Sequence, residues 1–365
     1  VKATDEQILA ALEKHNGRRD RAAQEVGLGA SRFRERLTEL KAKGASVPAS
    51  SVAGTSTLYD ASGKQVLQWV KEQPGKLTPE KIAEAVRDAL TDIPKAAKVP
   101  APKQLAKDLL VEYPIGDHHV GMYSWAEETG ADYDLKIAES LLTSAITHLV
   151  DIAPASENAV VADLGDMTHY DTIRTETVRS HNTLDADSRY HAMIRVALRL
   201  LVACVDRALT KHKHVTVIVA PGNHDDMGAA WRVEALALYY AREPRVTVMA
   251  KAGKFFYYEF GKNLIGYTHG DTGKPEKLAG VMAADQPEAW GRTRFRYWHT
   301  GHVHSKSVIE MQGVTWESFR ILPPGDAWSH AAGYRAAREM NAIVYHRAHG
   351  EVGRHTFNPS MLAAA

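Results

Sequence analysis

The chain has 365 residues, with 45 Lys and Arg against 44 Asp and Glu, and a single cysteine, Cys204. That length is enough for two domains and a sizeable core, while the even charge predicts neither a nucleic-acid nor a membrane partner from the chain as a whole. One cysteine excludes an internal disulfide framework and a thiolate metal cluster, and the absence of a long apolar run or a signal-peptide pattern predicts a soluble, cytoplasmic protein with no membrane contact.

Residues 1–45 read as a small all-α domain. Thr4 is the predicted N-cap of a first helix, with Asp5 and Glu6 in its first turn, Ile8, Leu9 and Leu12 on one face, and Asn16-Gly17 as its stop. A second helix is predicted over Arg19–Val26 and a third over Ser31–Lys43, with Phe33, Leu37 and Leu40 facing inward and Gly27-Leu28-Gly29 as the turn between them. Small Ala22 and Ala23, a glycine turn and a following amphipathic helix meet the steric needs of a helix-turn-helix. The third helix carries Arg32, Arg34, Arg36, Lys41 and Lys43. Two readings of it stand: a DNA recognition helix, or the solvated face of an interaction module.

Residues 46–105 change character. Ser46–Thr57 is rich in small residues and reads as a linker, whereas Thr57–Asp60 and Gln65–Val70 flank the hairpin turn Ala61-Ser62-Gly63-Lys64. A helix follows from Thr78-Pro79-Glu80 to Leu90, and Ile93–Lys103, with three prolines, reads as a second linker. An isolated hairpin is marginal in water, so this piece is expected to pack on another domain or another subunit.

From Leu109 onward, in the third predicted domain (residues 106–365), strand, loop and helix alternate. Strands are predicted at Leu109–Ile115, Ala159–Leu164 and Val215–Ala220, with helices at Asp134–Ile152, Asp187–Lys211 and Val233–Ala241. After Val246 the pattern reads as antiparallel hairpins, with strands at Phe255–Phe260, Leu264–Thr268, Arg296–Thr300, Ser307–Met311, Val314–Phe319, Ala342–His346 and Val352–Thr356. The fold class is α/β. Cys204 falls in an apolar-periodic helix and reads as buried. His148, His212, His214, His346, His349 and His355 carry no motif and read as structural.

Five short polar motifs sit at the ends of these strands, in order: Asp117-His118-His119, Gly165-Asp166-Met167-Thr168-His169, Gly222-Asn223-His224-Asp225, Thr268-His269-Gly270-Asp271 and Gly301-His302-Val303-His304. Together they supply Asp, Asn and His donors that suit two divalent ions bound side by side with one shared carboxylate. In order, residue type and spacing they resemble the calcineurin-like metallophosphoesterases, whose pattern runs D-x-H, G-D, G-N-H-D/E, H, G-H-x-H, over roughly residues 107–358. Many relatives carry Asp or Asn three positions after the Gly-Asp pair. Here His169 stands there, leaving the ligand set intact and changing the rim that faces substrate.

The resemblance implies a four-layer α/β/β/α sandwich. It implies that Asp117, His119, Asp166 and His304 hold one ion and that Asp166, Asn223, His269 and His302 hold the other, with Asp166 bridging. Mn is the expected metal, with Fe, Zn or Mg as alternatives. His224 would assist the leaving oxygen and Asp225 would orient it. His118, His169, Arg174, Arg179 and Asn182 are the substrate-rim candidates, the arginines either clamping phosphates or lying on a charge-balanced surface loop, and Asp271 could brace a ligand histidine. Residues 22–37 in turn resemble the Fis-type helix-turn-helix, whose DNA contacts would fall on Arg32, Arg34 and Arg36.

The whole is similar in architecture to metallophosphoesterases of phages and prophages and to DNA repair exonucleases, so the expected place is the cytoplasm, that of a bacterial host if the protein is phage-encoded. The leading expectation is a DNA nuclease targeted by its helix-turn-helix. The alternatives are a phosphatase or small-molecule phosphodiesterase with the N-terminal module used for assembly, and a phage DNA-binding regulatory or structural protein. Such proteins are commonly paired, so a homo-oligomer, a dimer first, is expected, with residues 46–92 in its interface.

Overall fold

The computed structural model describes residues 3–15, 19–42, 52–59, 65–72, 99–100, 102–178 and 181–362, and the chain divides into two compact units, Val1–Lys76 and Leu77–Ala365. In the first unit, helices Asp5–Lys14, Arg19–Glu25 and Ala30–Ala42 enclose a core of Ile8, Leu12, Ala22, Ala23, Phe33, Leu37 and Leu40. Thr4 Oγ1 accepts from Gln7 N at 3.3 Å while Gln7 Oε1 accepts from Thr4 N at 2.9 Å, a reciprocal cap that starts the first helix. Gly27 ends the second with φ +67°, a conformation that L side chains rarely adopt. The same unit holds an antiparallel hairpin of β1 (Val52–Tyr59) and β2 (Gln65–Glu72). Its first strand begins within the stretch expected to be linker, because Val52, Thr55 and Thr57 pair with β2. The helix expected after Thr78 lies outside the described residues, as does most of Ile93–Lys103.

The second unit is an α/β/β/α sandwich. One sheet is built from β3 (Ala106–Ile115), β4 (Ser156–Asp163), β5 (His214–Val219), β6 (Val246–Val248), β12 (Met340–His346) and β13 (Gly350–Phe357), in the order β13-β12-β3-β4-β5-β6. Its strands β3 to β6 run parallel, and β12 and β13 add antiparallel strands beside β3. The other sheet is built from β7 (Phe256–Phe260), β8 (Asn263–Tyr267), β9 (Phe295–Thr300), β10 (Ser307–Met311) and β11 (Val314–Ser318), in the order β10-β11-β9-β8-β7.

The strand period of two sorts side chains between layers. Val111, Tyr113, Val161 and Val217 pack under helices Leu135–Ile152, Tyr190–Leu209 and Asp226–Tyr239, whereas Leu110, Val160, Ala162 and Ile218 face the second sheet. There they meet Phe256 and Phe260 of β7, and Ile265 and Tyr267 of β8. A buried polar pair crosses this layer: His299 Nδ1 lies 2.7 Å from Glu112 Oε1.

The second sheet corrects the expectation of hairpins throughout. β8 and β9 are parallel, as are β9 and β11, with β10 and β7 antiparallel at the edges. A parallel pair needs a crossover, and helices Pro275–Asp285 and Pro287–Arg292, unseen in the sequence, supply it. They pack Leu278, Met282 and Ala289 on Leu264, Trp298 and Trp316, forming the outer layer. Trp298 is wholly buried and its Nε1 donates to the Leu278 carbonyl at 2.8 Å, so the burial of a large ring, worth about 2–3 kcal/mol, leaves no stranded donor. Among the described residues no helix is long and apolar enough to cross a membrane.

Candidate metal centre

All five polar motifs lie just past the C-terminal ends of parallel strands: β3, β4 and β5 of one sheet, β8 and β9 of the other. This is the edge at which open α/β sheets carry ligands. Among the described residues six non-glycine residues have positive φ, namely Asp117, His119, Asp166, His181, His302 and His304. All but His181 belong to the expected ligand set. Left-handed backbone costs free energy outside glycine and concentrates where side-chain direction matters; here it turns these donors off the strand line and toward one another.

Three donor groups result. Asp117, His119 and His304 offer atoms within 4.8 Å of one another, and so do Asp166, His269 and His302, and His119, His169 and His224. Asp117 Oδ1 lies 3.2 Å from His304 Nε2 and 3.9 Å from His269 Nε2, so the first two groups adjoin. Asn223 Oδ1 lies 3.0 Å from His269 Nε2. The backbone N–H of His302 donates to both Asp117 oxygens, at 3.0 and 2.9 Å, which fastens the first motif to the fifth across the two sheets. Glycines make room: a methyl group on Gly222 would overlap the Asp166 carboxylate, and one on Gly301 the Asp117 carboxylate.

The donor chemistry fits bound cations. His269 Nδ1 lies 2.9 Å from the Leu164 carbonyl, to which it donates, so the neutral ring turns a bare Nε2 toward Asp166 Oδ2 at 3.1 Å and Asn223 Oδ1 at 3.0 Å. Three lone pairs converging in a buried space repel unless positive charge sits among them. Burial opposes charge on His269, yet Asp166 and Asp117 raise it to about 10, so this donor set draws positive charge, as a proton or as a cation. Burial, then the rings of His224 and His304, holds His119 well below its ordinary value and keeps it neutral. His169 Nε2 is buried without a hydrogen-bond partner among the described residues.

His224 and Asp225 separate. The Asp225 carboxylate was expected to orient His224, but it faces the other way and accepts from the backbone N–H groups of Gly222, Asp166 and Thr168 at 3.0–3.1 Å and from Arg232 Nη2 at 2.7 Å. Asp225 starts the helix Asp226–Tyr239, and its side chain turns back over the loop amides instead of along the loop toward His224. His224 Nδ1 lies instead 2.7 Å from the His169 carbonyl, which leaves Nε2 for chemistry.

Sequence reasoning missed Arg232, Asp163 and Asp171. Arg232 is buried between Asp225 and Asp163, the latter at 3.3 Å; burial raises Asp163 to about 7 despite the pull of Arg232. Asp171 accepts from Met227 and Gly228 N–H and from the Tyr190 hydroxyl, capping the helix from outside, and the helix starts at Asp226 instead of the expected Val233. A lone Arg in the otherwise apolar stretch Trp231-Arg232-Val233 was the available signal.

The rim candidates divide. His169 faces the cluster, its Nδ1 3.3 Å from His119 Nδ1. His118 does not: it is fully buried, bonded through Nε2 to the Ala138 carbonyl at 2.9 Å, and has no edge to offer a substrate. Arg174 is 79% exposed in its side chain and lies 3.9 Å from Glu176, Asn182 donates its N–H to Thr177 Oγ1, and Arg179 is outside the described residues. Asp271 lies 3.5 Å from Lys254 Nζ, so its carboxylate engages a lysine. Cys204 is buried and burial pushes its thiol up. In the N-terminal unit Arg36 is ion-paired to Asp5 of the first helix, so it ties helices together, while Arg32 and Arg34 are exposed.

Residues 5–40 match the family model described as bacterial regulatory protein, Fis family. No curated protein matches the chain. Among solved structures, the chain is similar to a predicted phosphoesterase from Streptococcus pneumoniae TIGR4 at 11% identity, covering 69% of this chain and 99% of that one, with a TM-score of 0.29. It is similar to the phosphoesterase Yfce from E. coli at 13% identity, covering 68% and 100%, with a TM-score of 0.32. It is similar to a dimetal phosphatase from Danio rerio at 10% identity, covering 68% and 98%, with a TM-score of 0.35. Likenesses of that degree carry no inference about chemistry.

Proposed function

We propose that this protein is a dinuclear-metal phosphoesterase acting as a DNA nuclease, directed to its substrate by the helix-turn-helix. The observation that carries the reading is the convergence of Asp117, His119 and His304 beside Asp166, His269 and His302, with Asn223 at 3.0 Å from His269. Carboxylate, imidazole and amide donors without thiolate suit Mn first, and also Fe, Zn or Mg. Two such ions, when bound, supply Lewis acidity toward a phosphate ester and acidify a water. Asp117, His119, Asp166 and His304 would hold one and Asp166, Asn223, His269 and His302 the other.

The chain's own residues do the rest. The His169 carbonyl fixes the His224 tautomer so that Nε2 can give a proton or hydrogen bond to the leaving oxygen. His169, stacked on His224 with centroids 5.7 Å apart, lines the same side and is assigned to the phosphate. The Fis-family match over residues 5–40 supports duplex DNA as the partner, and Arg32 and Arg34 are the assigned contacts. In this reading residues 1–45 are the DNA-binding domain, 46–105 the connector, of which residues 46–92 contribute to a dimer interface, and 106–365 the catalytic domain, at work in the cytoplasm.

The test is a substrate panel with Mn: DNA strands, a cyclic nucleotide, a phosphopeptide and nitrophenyl esters. DNA cleavage lost in Asp166→Ala and His304→Ala, together with loss of bound metal by elemental analysis, supports the reading. Turnover of monoesters alone moves the function to a phosphatase, and unchanged metal content in Asp166→Ala removes Asp166 as the bridge. Light scattering at micromolar protein tests the dimer, which a single species near the chain mass of 40.2 kDa would exclude.

A further inference from the structure

Four large aromatic side chains stand exposed on two loops beside the metal centre: Tyr123 at 46%, Trp125 at 49%, Trp328 at 70% and Tyr334 at 62%. The loops touch. Ser124 Oγ lies 3.0 Å from the Gly325 carbonyl, and the short helices Ala126–Thr129 and Ala327–Ala331 pack on each other. Both loops are anchored at the catalytic edge. The first leaves His119 directly, and the Tyr133 hydroxyl that closes it donates to the His118 carbonyl at 2.6 Å. The second leaves β11, where Phe319 N donates to the Thr300 carbonyl at 2.9 Å and Gly116, next to Asp117, packs on the backbone of Arg320. Trp328 and Tyr334 lie with ring centroids 5.9 Å apart and planes at 31°, held around the turn at Gly333.

We propose that Trp328 and Tyr334, with Trp125 and Tyr123 on the adjoining loop, form a stacking platform for unpaired bases of a single-stranded nucleic acid whose backbone runs to the metal centre. This rests on the nuclease reading above and names its substrate as a strand with bases free to stack. Exposed apolar rings cost free energy in water, and an unpaired base offers a π-face that any sequence supplies, whereas bases in a duplex are already stacked on each other. The charge agrees. In residues 325–339 both acids are committed, Asp326 capping Ser329 N and Glu339 pairing with Arg320 at 2.6 Å. Arg335, exposed beside Tyr334 and bonded to the carbonyls of His330 and Tyr334, is placed to meet phosphates.

The experiment uses the full chain with calcium in place of a supporting metal and reads anisotropy of labelled strands of about 12 nucleotides, a length within the usual range of single-strand sites. Oligothymidylate is compared with an abasic strand of equal length, which keeps the phosphates and removes the bases. The wild type is expected to prefer oligothymidylate, and Trp328→Ala with Tyr334→Ala to lose about tenfold or more of that preference while binding the abasic strand as before. Trp328→Phe with Tyr334→Phe keeps it and Trp328→Leu with Tyr334→Leu does not, a comparison that holds even if the alanine pair fails to fold. A wild type without preference, or an alanine pair that retains it, overturns the platform. So does an alanine pair that loses only self-association, which would give this face to a second copy. Cleavage of the same strands with Mn separates the two readings: stacking-dependent binding without cleavage removes the nuclease and leaves the platform, and cleavage with unaltered binding does the reverse.

Discussion

His224 Nδ1 lies 2.7 Å from the His169 carbonyl, and the two rings are stacked at 5.7 Å and 18°. The group that fixes the tautomer of His224 is therefore a backbone atom of the second motif and not the neighbouring Asp225. His224→Ala should keep both metals and lose diester cleavage by about 10²–10⁴-fold, while an ester with a good leaving group loses far less. Asp225→Asn should not reproduce this split. Steady-state rates on the two esters, with metal content measured alongside, decide it; equal losses on both esters remove His224 as the proton donor.

Arg232 is the second target. It is buried between Asp225 and Asp163, and breaking such a pair strands a carboxylate in the interior. Arg232→Met should destabilise the protein by about 3–5 kcal/mol, read from urea unfolding at neutral pH. A change below about 1 kcal/mol would show that the two carboxylates take up protons with little loss of stability.

In the N-terminal unit the three arginines should part company. Arg32→Glu and Arg34→Glu should weaken duplex DNA binding and flatten its salt dependence, with the thermal midpoint kept. Arg36→Glu should lower the midpoint, since it sets a carboxylate against Asp5. Titration of a labelled duplex at several salt concentrations checks the first pair and circular dichroism the last.

His212 gives a pH test away from the metal motifs. It is buried between the Tyr113 hydroxyl at 2.8 Å and Ser156 Oγ at 2.7 Å, and burial, with Lys211 nearby, lowers it to about 4. An unfolded histidine titrates at about 6.5, so between those values the unfolded chain binds more protons than the folded one. Its contribution is whole above about pH 6.5 and falls by about 3 kcal/mol as the pH drops to about 4. His212→Gln should therefore make the thermal midpoint less sensitive to pH over that window, and parallel curves for the two proteins would refute the assignment.

The placement of the five polar motifs at strand ends was legible in the sequence, for identifiable reasons. The run Ala159-Val160-Val161-Ala162 passes through Asp163-Leu164 into Gly165-Asp166, and a buried strand feeding a polar loop of that kind has few other readings. The parallel order of β8 and β9 was not legible, because it depends on helices Pro275–Asp285 and Pro287–Arg292, whose buried side is only Leu278, Met282 and Ala289, interrupted by a proline. The direction of Asp225 was hidden for a different reason. Adjacency to His224 suggested a shared task, and only the backbone turn into the next helix sends the carboxylate elsewhere. His118 misled in the same way, since its ring leaves the motif for the Ala138 carbonyl.

The carboxylate of Asp225 also bears on how this site could be rebuilt. It gathers N–H groups from two separate loops, Asp166 and Thr168 of one and Gly222 of the other, and is itself clasped by Arg232. Those loops cannot be exchanged singly. A transplanted loop of another length after β4 would take the Asp166 and Thr168 amides away from the buried Asp225 carboxylate, so retuning metal preference calls for grafting both loops and the helix bearing Arg232 as one cassette.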